Sequence, residues 1–316
     1  MEPLFKLRPD LPWDIQQLSY NNSIPISYIY DHPEIEWDLS FMNKRHNISI
    51  VDVINHPEID WNIFQFSAGF TSNAITMSDV ENHPEIKWDE RGLSMNRNIT
   101  MSDVENHPEI EWNIELLSMY ILTMSDVENH PEIKWDERGL SMNRNITMSD
   151  VENHPEIEWD GNDLSRNRNI TMSDVENHPE IEWDGNDLSR NRNITLKFVK
   201  DHPEINWDIG LLSRNFSITM SDVENHPEIE WDGNELSRNR NITLKFVKDH
   251  PEINWDIGLL SRNEHISLYD IENNLEMGWE WKWVSRRFGI TIDQVQNHPN
   301  IPWEWDGLSL VLKMFP

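Results

Sequence analysis

The chain contains no cysteine. Neither a disulfide framework nor a thiolate metal site is therefore available to hold it together, and a reducing compartment is compatible with it. Positive charge is also scarce: 26 Lys and Arg stand against 57 Asp and Glu, a formal charge of −31. That balance argues against nucleic acid as the main partner, since backbone binding is driven by Lys and Arg displacing counterions. Nowhere do about 18 apolar residues run together, as a membrane-spanning helix would need. The first residues, M-E-P-L-F-K-L-R-P-D-L-P-W-D, have no apolar stretch of the kind an export signal carries, so a soluble, non-secreted protein is expected.

What the chain does have is one pattern used many times. The stretch Ile170 to Asn193 reads I-T-M-S-D-V-E-N-H-P-E-I-E-W-D-G-N-D-L-S-R-N-R-N, and most of the sequence is a copy of it. His154, His178, His202, His226 and His250 recur every 24 positions, as do Trp159, Trp183, Trp207, Trp231 and Trp255. A period of that length marks a stacked repeat array, and it overrides the two-domain expectation that 316 residues would otherwise suggest.

Each unit starts two helices. Thr171 and Asp184 are N-cap residues by type, since their side-chain oxygens can accept from the free N–H groups of a first turn. Asp174 and Asp187, three residues on, suit a capping box, while Ile170 with Val175 and Trp183 with Leu188 suit the apolar staple. The first helix should stop near His178, because Pro179 pushes its predecessor out of the α region. The second should end around Asn191, with that residue in a left-handed C-cap. Coils of about two turns do not survive alone in water, so Ile170, Val175, Ile181, Trp183 and Leu188 are expected to bury against the next unit. The expectation is all-α: an α-solenoid of about twelve 24-residue units, with 13 second-type and 12 first-type helices counted from the Trp positions. Stacked 8–10 Å apart, they would form a single elongated array over residues 1–316, roughly 100–120 Å in contour. Residues 1–24 read as an N-terminal cap, 25–307 as repeats and 308–316, which end L-S-L-V-L-K-M-F-P, as a C-terminal cap or docking tail.

Register breaks in two places. His56 to His83 spans 27 positions, and the surplus fits a loop at Ser67 to Ala74. His107 to His130 spans 23, a one-residue deletion within Ser118 to Thr123. Residues 83–112 and 130–159 are identical, which lengthens a surface without building a unique site.

Candidate chemistry is thin. The His-Pro histidines cannot share metal ions along a ladder, because ligands sit ~2.0–2.2 Å from one ion while stacked units are 8–10 Å apart. Hydrogen bonding to a helix end or a neighbouring unit accounts for them. The tryptophans, beside the caps, belong in the core rather than on a base-stacking surface. Asp174 and Asp187 have a capping explanation, and no nucleophile, phosphate loop or H-E-x-x-H accompanies them. Arg166, Arg168, Arg190, Arg192, Arg214, Arg238, Arg240 and Arg262 fall at the end of the second helix, where they can offset its dipole and bridge to neighbouring carboxylates. Glu156, Glu180, Glu204, Glu228 and Glu252 follow the prolines. The reading is a non-enzyme without cofactor or metal: a scaffold for a protein partner or, alternatively, an acidic mimic of nucleic acid that binds basic proteins.

With N-R-N-I-T, H-P-E-I-E-W-D and, at His298 to Ser309, H-P-N-I-P-W-E-W-D-G-L-S laid out, the chain resembles the tandem-repeat proteins of unknown function in giant DNA viruses of the mimivirus type. It departs from their pattern at Arg192, where Pro is frequent, and at Gly185, which stands for a second Trp. The resemblance implies a viral protein of the host cytoplasm or the virion and supplies no activity. A looser similarity, over Leu164 to Val175, is to leucine-rich variant repeats with alternating α and 3₁₀ helices, and leaves the second helix open between the two geometries.

Overall fold

A computed structural model of the chain describes residues 2–39, 45, 47–70 and 75–314. Among them are 25 α-helices, one short 3₁₀ segment and no strand. After a first turn at Leu4–Leu7, first- and second-type helices alternate from Ile50–Asn55 onward, most of them six residues long. The chain forms two compact units, one of His46–Asp208 and one of Met1–Arg45 with Ile209–Pro316. No helix among the described residues is long and apolar enough to cross a membrane.

Local chemistry sets the first-type helix. In Met172–Asn177, Thr171 accepts from the Asp174 amide and the Asp174 carboxylate accepts back from the Thr171 amide at 2.7 Å, a complete capping box. The helix ends at His178, before Pro179, and His178 to Ile181 closes a turn with the Ile181 amide on the His178 carbonyl at 3.2 Å. The second-type helix Gly185–Arg190 is α, not 3₁₀, and Asp184 caps it by accepting from the Asp187 amide.

Two expectations for this helix fail. Asp187 does not complete a box; it is buried, and its carboxylate takes the Arg166 guanidinium of the preceding repeat at 2.8 Å. Asn191 is extended, at φ −62° and ψ 133°, rather than left-handed. No described non-glycine residue has positive φ. Asn191 instead turns its side chain inward, where its amide donates to the Ile170 carbonyl at 3.0 Å. The helix end itself is closed locally, by the Asn191 backbone N–H on the Leu188 carbonyl at 2.9 Å, while the side chain ties the repeat to the one before.

Within each unit second-type helices pack on one another and make the core, Gly161–Arg166 on Gly185–Arg190 in one and Ile209–Arg214 on Gly233–Leu236 in the other, with Leu164, Leu188, Leu212 and Leu236 fully buried. Ile170 and Val175 are buried and Trp183 is half-buried, as the staple positions imply. Two ladders knit this core. In one, a buried serine accepts the amide of the next repeat's N-cap: Ser141 from Asp160 at 3.0 Å, Ser165 from Asp184 at 2.9 Å. In the other, a buried asparagine donates to carbonyls of the repeat before: Asn167 to Asn143 at 2.9 Å and to Ile146 at 3.0 Å. Arg45 and Arg287 take the asparagine place. Arg287 donates to the carbonyls of Ser261 at 2.8 Å and Leu260 at 3.2 Å, and burial lowers its pKa to about 10.

In the unit that contains both chain ends, the ladder does not stop at the last repeat. Helix Trp305–Val311 packs against helix Ile15–Tyr20. Ser309 accepts the Asp14 amide at 2.9 Å, and Asn21 donates to the carbonyls of Ser309 and Leu312, both at 2.8 Å. The segments read as separate terminal caps bury one another. Of the expected loop at Ser67 to Ala74, residues 71–74 lie outside the described residues.

Candidate functional site: the groove between repeats

An H-P-E-I turn follows most first-type helices, with its Pro and Glu exposed. Between two such turns in the His46–Asp208 unit lies a groove of about 570 Å³. Val175, Ile181 and Ile205 give it an apolar floor, Trp183 one wall, and Glu176, Glu182 and Glu204 acidic margins. The Trp183 indole N–H is occupied, donating to the His178 carbonyl at 2.9 Å, so the ring edge is anchored while its body lines the groove. Gly185 lets the walls close in: a Cβ there would lie 2.2 Å from the Asn206 carbonyl oxygen. Gly185 thus sits where the next repeat's backbone leaves no room for a side chain.

The histidines form a different feature from a metal ladder. From His56 to His250 the His-Pro histidines turn Nδ1 to the glutamate two residues on, 2.9 Å for His178 and Glu180, whereas His32 faces the Tyr28 carbonyl and His298 faces Glu272. In four repeats Nε2 also faces a glutamate of the preceding repeat: His107 with Glu81, His130 with Glu105, His154 with Glu128 and His178 with Glu152, at 3.0–3.3 Å. A neutral imidazole has one N–H and the charged form two, so carboxylates on both sides favour the charged form at His107 and His178. The pKa values of His107 and His178 are accordingly raised, first by the hydrogen bonds to Glu109 and Glu180. Among the described residues no cluster of His, Asp and Glu could hold a metal ion.

The arginines separate into two sets, which residue spacing alone does not distinguish. Arg138, Arg166 and Arg190 pair with the buried Asp163 and Asp187. Arg97, Arg144, Arg168 and Arg192 sit one position after the ladder asparagines, exposed and without an ion pair among the described residues. Asn169 donates to the Arg144 carbonyl at 2.5 Å and Asn193 to that of Arg168 at 3.4 Å, so their backbones are held in register. Burial and the guanidinium groups of Arg144 and Arg168 lower the Arg97 pKa. Farther along, Arg262 stacks on Trp283 at 3.5 Å.

Sequence reasoning found the tryptophan and histidine rows but passed over the serine and asparagine ladders, whose signal, L-S-x-N at the same 24-residue period, was in view. No family model, no curated protein and no solved structure matches the chain.

Proposed function

We propose that the chain is a non-enzymatic repeat scaffold that binds a partner protein along its length, taking cationic side chains into the grooves between repeats. The groove at Trp183 carries this reading. An aromatic wall and three carboxylates suit a Lys or Arg side chain, which can lay its methylenes on the apolar floor and its charge between Glu176, Glu182 and Glu204. Repetition supplies the affinity, since linked weak sites act together. Catalysis is not part of the proposal: Asp174 is spent in a capping box and Asp187 in an ion pair, leaving no asymmetric constellation. The infected-cell or virion setting belongs to the same proposal and rests on the N-R-N-I-T and H-P-E-I-E-W-D motifs and the H-P-N-I-P-W-E-W-D stretch from His298.

Calorimetry with a Lys/Arg-rich peptide and a neutral one of equal length tests this. Binding of the basic peptide should weaken as salt rises from 0.05 to 0.5 M (illustrative ionic strengths at which the Debye length falls to roughly a third). It should weaken further in Glu176→Gln/Glu182→Gln/Glu204→Gln. Equal binding of both peptides, or none, refutes the cationic partner.

A second reading has its own observation. The unpaired row Arg97, Arg144, Arg168 and Arg192 is a local positive edge on an acidic chain, as an extended phosphate backbone would require. A single-stranded oligonucleotide shift lost in Arg144→Ala/Arg168→Ala/Arg192→Ala but kept in Arg190→Ala, whose charge is already paired, would favour it. No shift in the unaltered protein removes it.

A further inference from the structure

We infer that the joint between residues 4–24 and 305–314 is an exchangeable interface, one that a second copy of this chain can complete. The joint has the same chemistry as an internal one. Ser309 to Asp14 at 2.9 Å matches Ser285 to Glu304 at 2.9 Å and Ser19 to Asp38 at 2.8 Å. Asn21 to Ser309 and Leu312, both at 2.8 Å, matches Asn239 to Ser213 at 2.9 Å and Ile218 at 3.2 Å. Three contacts are added at the joint. The Leu4 amide donates to the Met314 carbonyl at 2.7 Å, the Met314 amide donates to Ser23 Oγ at 2.8 Å, and Trp13 meets Trp305 edge-on at 5.2 Å. Leu18, Leu308, Leu312 and Met314 are buried to 1% exposure or less.

One property sets this joint apart. Internal joints connect residues about 20 positions apart, as in Ser285 and Glu304, whereas Asp14 and Ser309 are 295 apart. Opening an internal joint therefore pulls on a short covalent connection, and opening this one pulls on none. Its two faces differ, so each is satisfied only by the other kind: the 4–24 face of one copy by the 305–314 face of another. Two opened copies can complete each other twice with no bond absent from the single chain, the relation that defines exchange of identical elements between protomers. Within one chain the faces meet at an effective concentration of order millimolar, so the single chain predominates when dilute and exchange rises as that concentration is approached.

The absence of cysteine makes the test clean. Glu2 and Lys313, both exposed, flank the Leu4–Met314 bond, and Glu2→Cys/Lys313→Cys places two thiols there. A short bis-maleimide added to dilute protein should close each chain on itself, giving a product of single-chain mass with no free thiol. Two differently tagged copies of the unaltered full chain, incubated together at high concentration, should then give a mixed-tag dimer. Cross-linking the cysteine pair before mixing should abolish that dimer, and Asn21→Ala/Ser309→Ala, which removes three hydrogen bonds from the joint in single chain and dimer alike, should leave the equilibrium fraction unchanged and make mixed dimers form roughly tenfold faster or more. Mixed dimers that persist in the pre-cross-linked protein would mean another surface is responsible and overturn the inference. So would the absence of mixed dimers at every concentration, or failure of the thiols to cross-link within one chain.

Discussion

The repeat around Ser165 and the repeat around Ser118 share a design but differ by one residue. In the first, helix Gly161–Arg166 leads to Asn167, whose amide holds two carbonyls of the repeat before. In the second, the helix runs one residue longer, Ile114–Tyr120, and enters Leu122 directly, with no asparagine to donate. The Leu117 carbonyl takes the Ile121 amide at 3.1 Å and the Leu122 amide at 3.3 Å, so the backbone absorbs the deletion. The next asparagine, Asn143, still finds Ser118 at 2.7 Å and Leu122 at 2.8 Å. The repeat that follows the deletion differs at its indole. Trp159 donates to the His154 carbonyl at 2.9 Å, whereas the buried Trp135 N–H has no partner. Backbone ladders thus tolerate a lost residue, and so does the indole of the shortened repeat, since Trp112 donates to the His107 carbonyl at 3.0 Å.

Substitutions can break or sharpen this contrast. Leu164→Ala in the regular repeat should cost the most, about 2–5 kcal/mol, since Leu164 is fully buried between stacked helices. Because repeat arrays open locally, hydrogen exchange of the flanking repeats is the suitable readout alongside denaturant unfolding. Asn167→Ala should cost about 2–3 kcal/mol by leaving buried carbonyls without a donor, and the loss should appear in both repeats it joins. Trp→Phe separates the regular repeat from the one that follows the deletion. Trp159→Phe should lose about 1 kcal/mol with its hydrogen bond, while Trp135→Phe should be near neutral, because it removes an N–H already unpaired. Equal losses at both positions would mean that the indole N–H is immaterial to the contrast.

The smallest expected effect is on pH. His178 has a raised pKa in the folded chain, so its contribution is fully present below the unfolded value of about 6.5 and fades as pH rises through the folded value. Glu180, with a lowered pKa set first by its own backbone amide and then by His178, contributes above about 4.3 and fades as pH falls. Thermal unfolding of His178→Gln against the unaltered protein should therefore differ more at pH 5.5 (a value chosen inside the ~4.3–6.5 window) than above neutrality. A difference that grows toward alkaline pH would contradict this assignment.

Local features were the legible ones. Thr171 with Asp174, the stop at His178 and the cap at Asp184 each depend on residues within four positions, and each forms as its spacing implies. Asp187 was misread because the box spacing fits it equally well; its burial beside Arg166 comes from a residue 21 positions away. Asn191 was misread for a related reason, since its helix-ending role is visible in sequence and its inward amide is not. The meeting of Asp14 and Ser309 is the extreme case, because nothing in either segment names the other. The groove at Trp183 lies between, its residues all visible but its walls supplied by two repeats.

In both ladders one partner is always main chain: serine oxygen to amide, asparagine amide to carbonyl. Main chain is the same whatever the neighbour's side chains are, so one block can sit beside any other without matched changes in both. Unequal recombination could then insert or delete whole blocks and yield a folded product at once. The identical segments 83–112 and 130–159 are the trace such a history leaves, and the length of this protein becomes a quantity that can drift between lineages far faster than its fold.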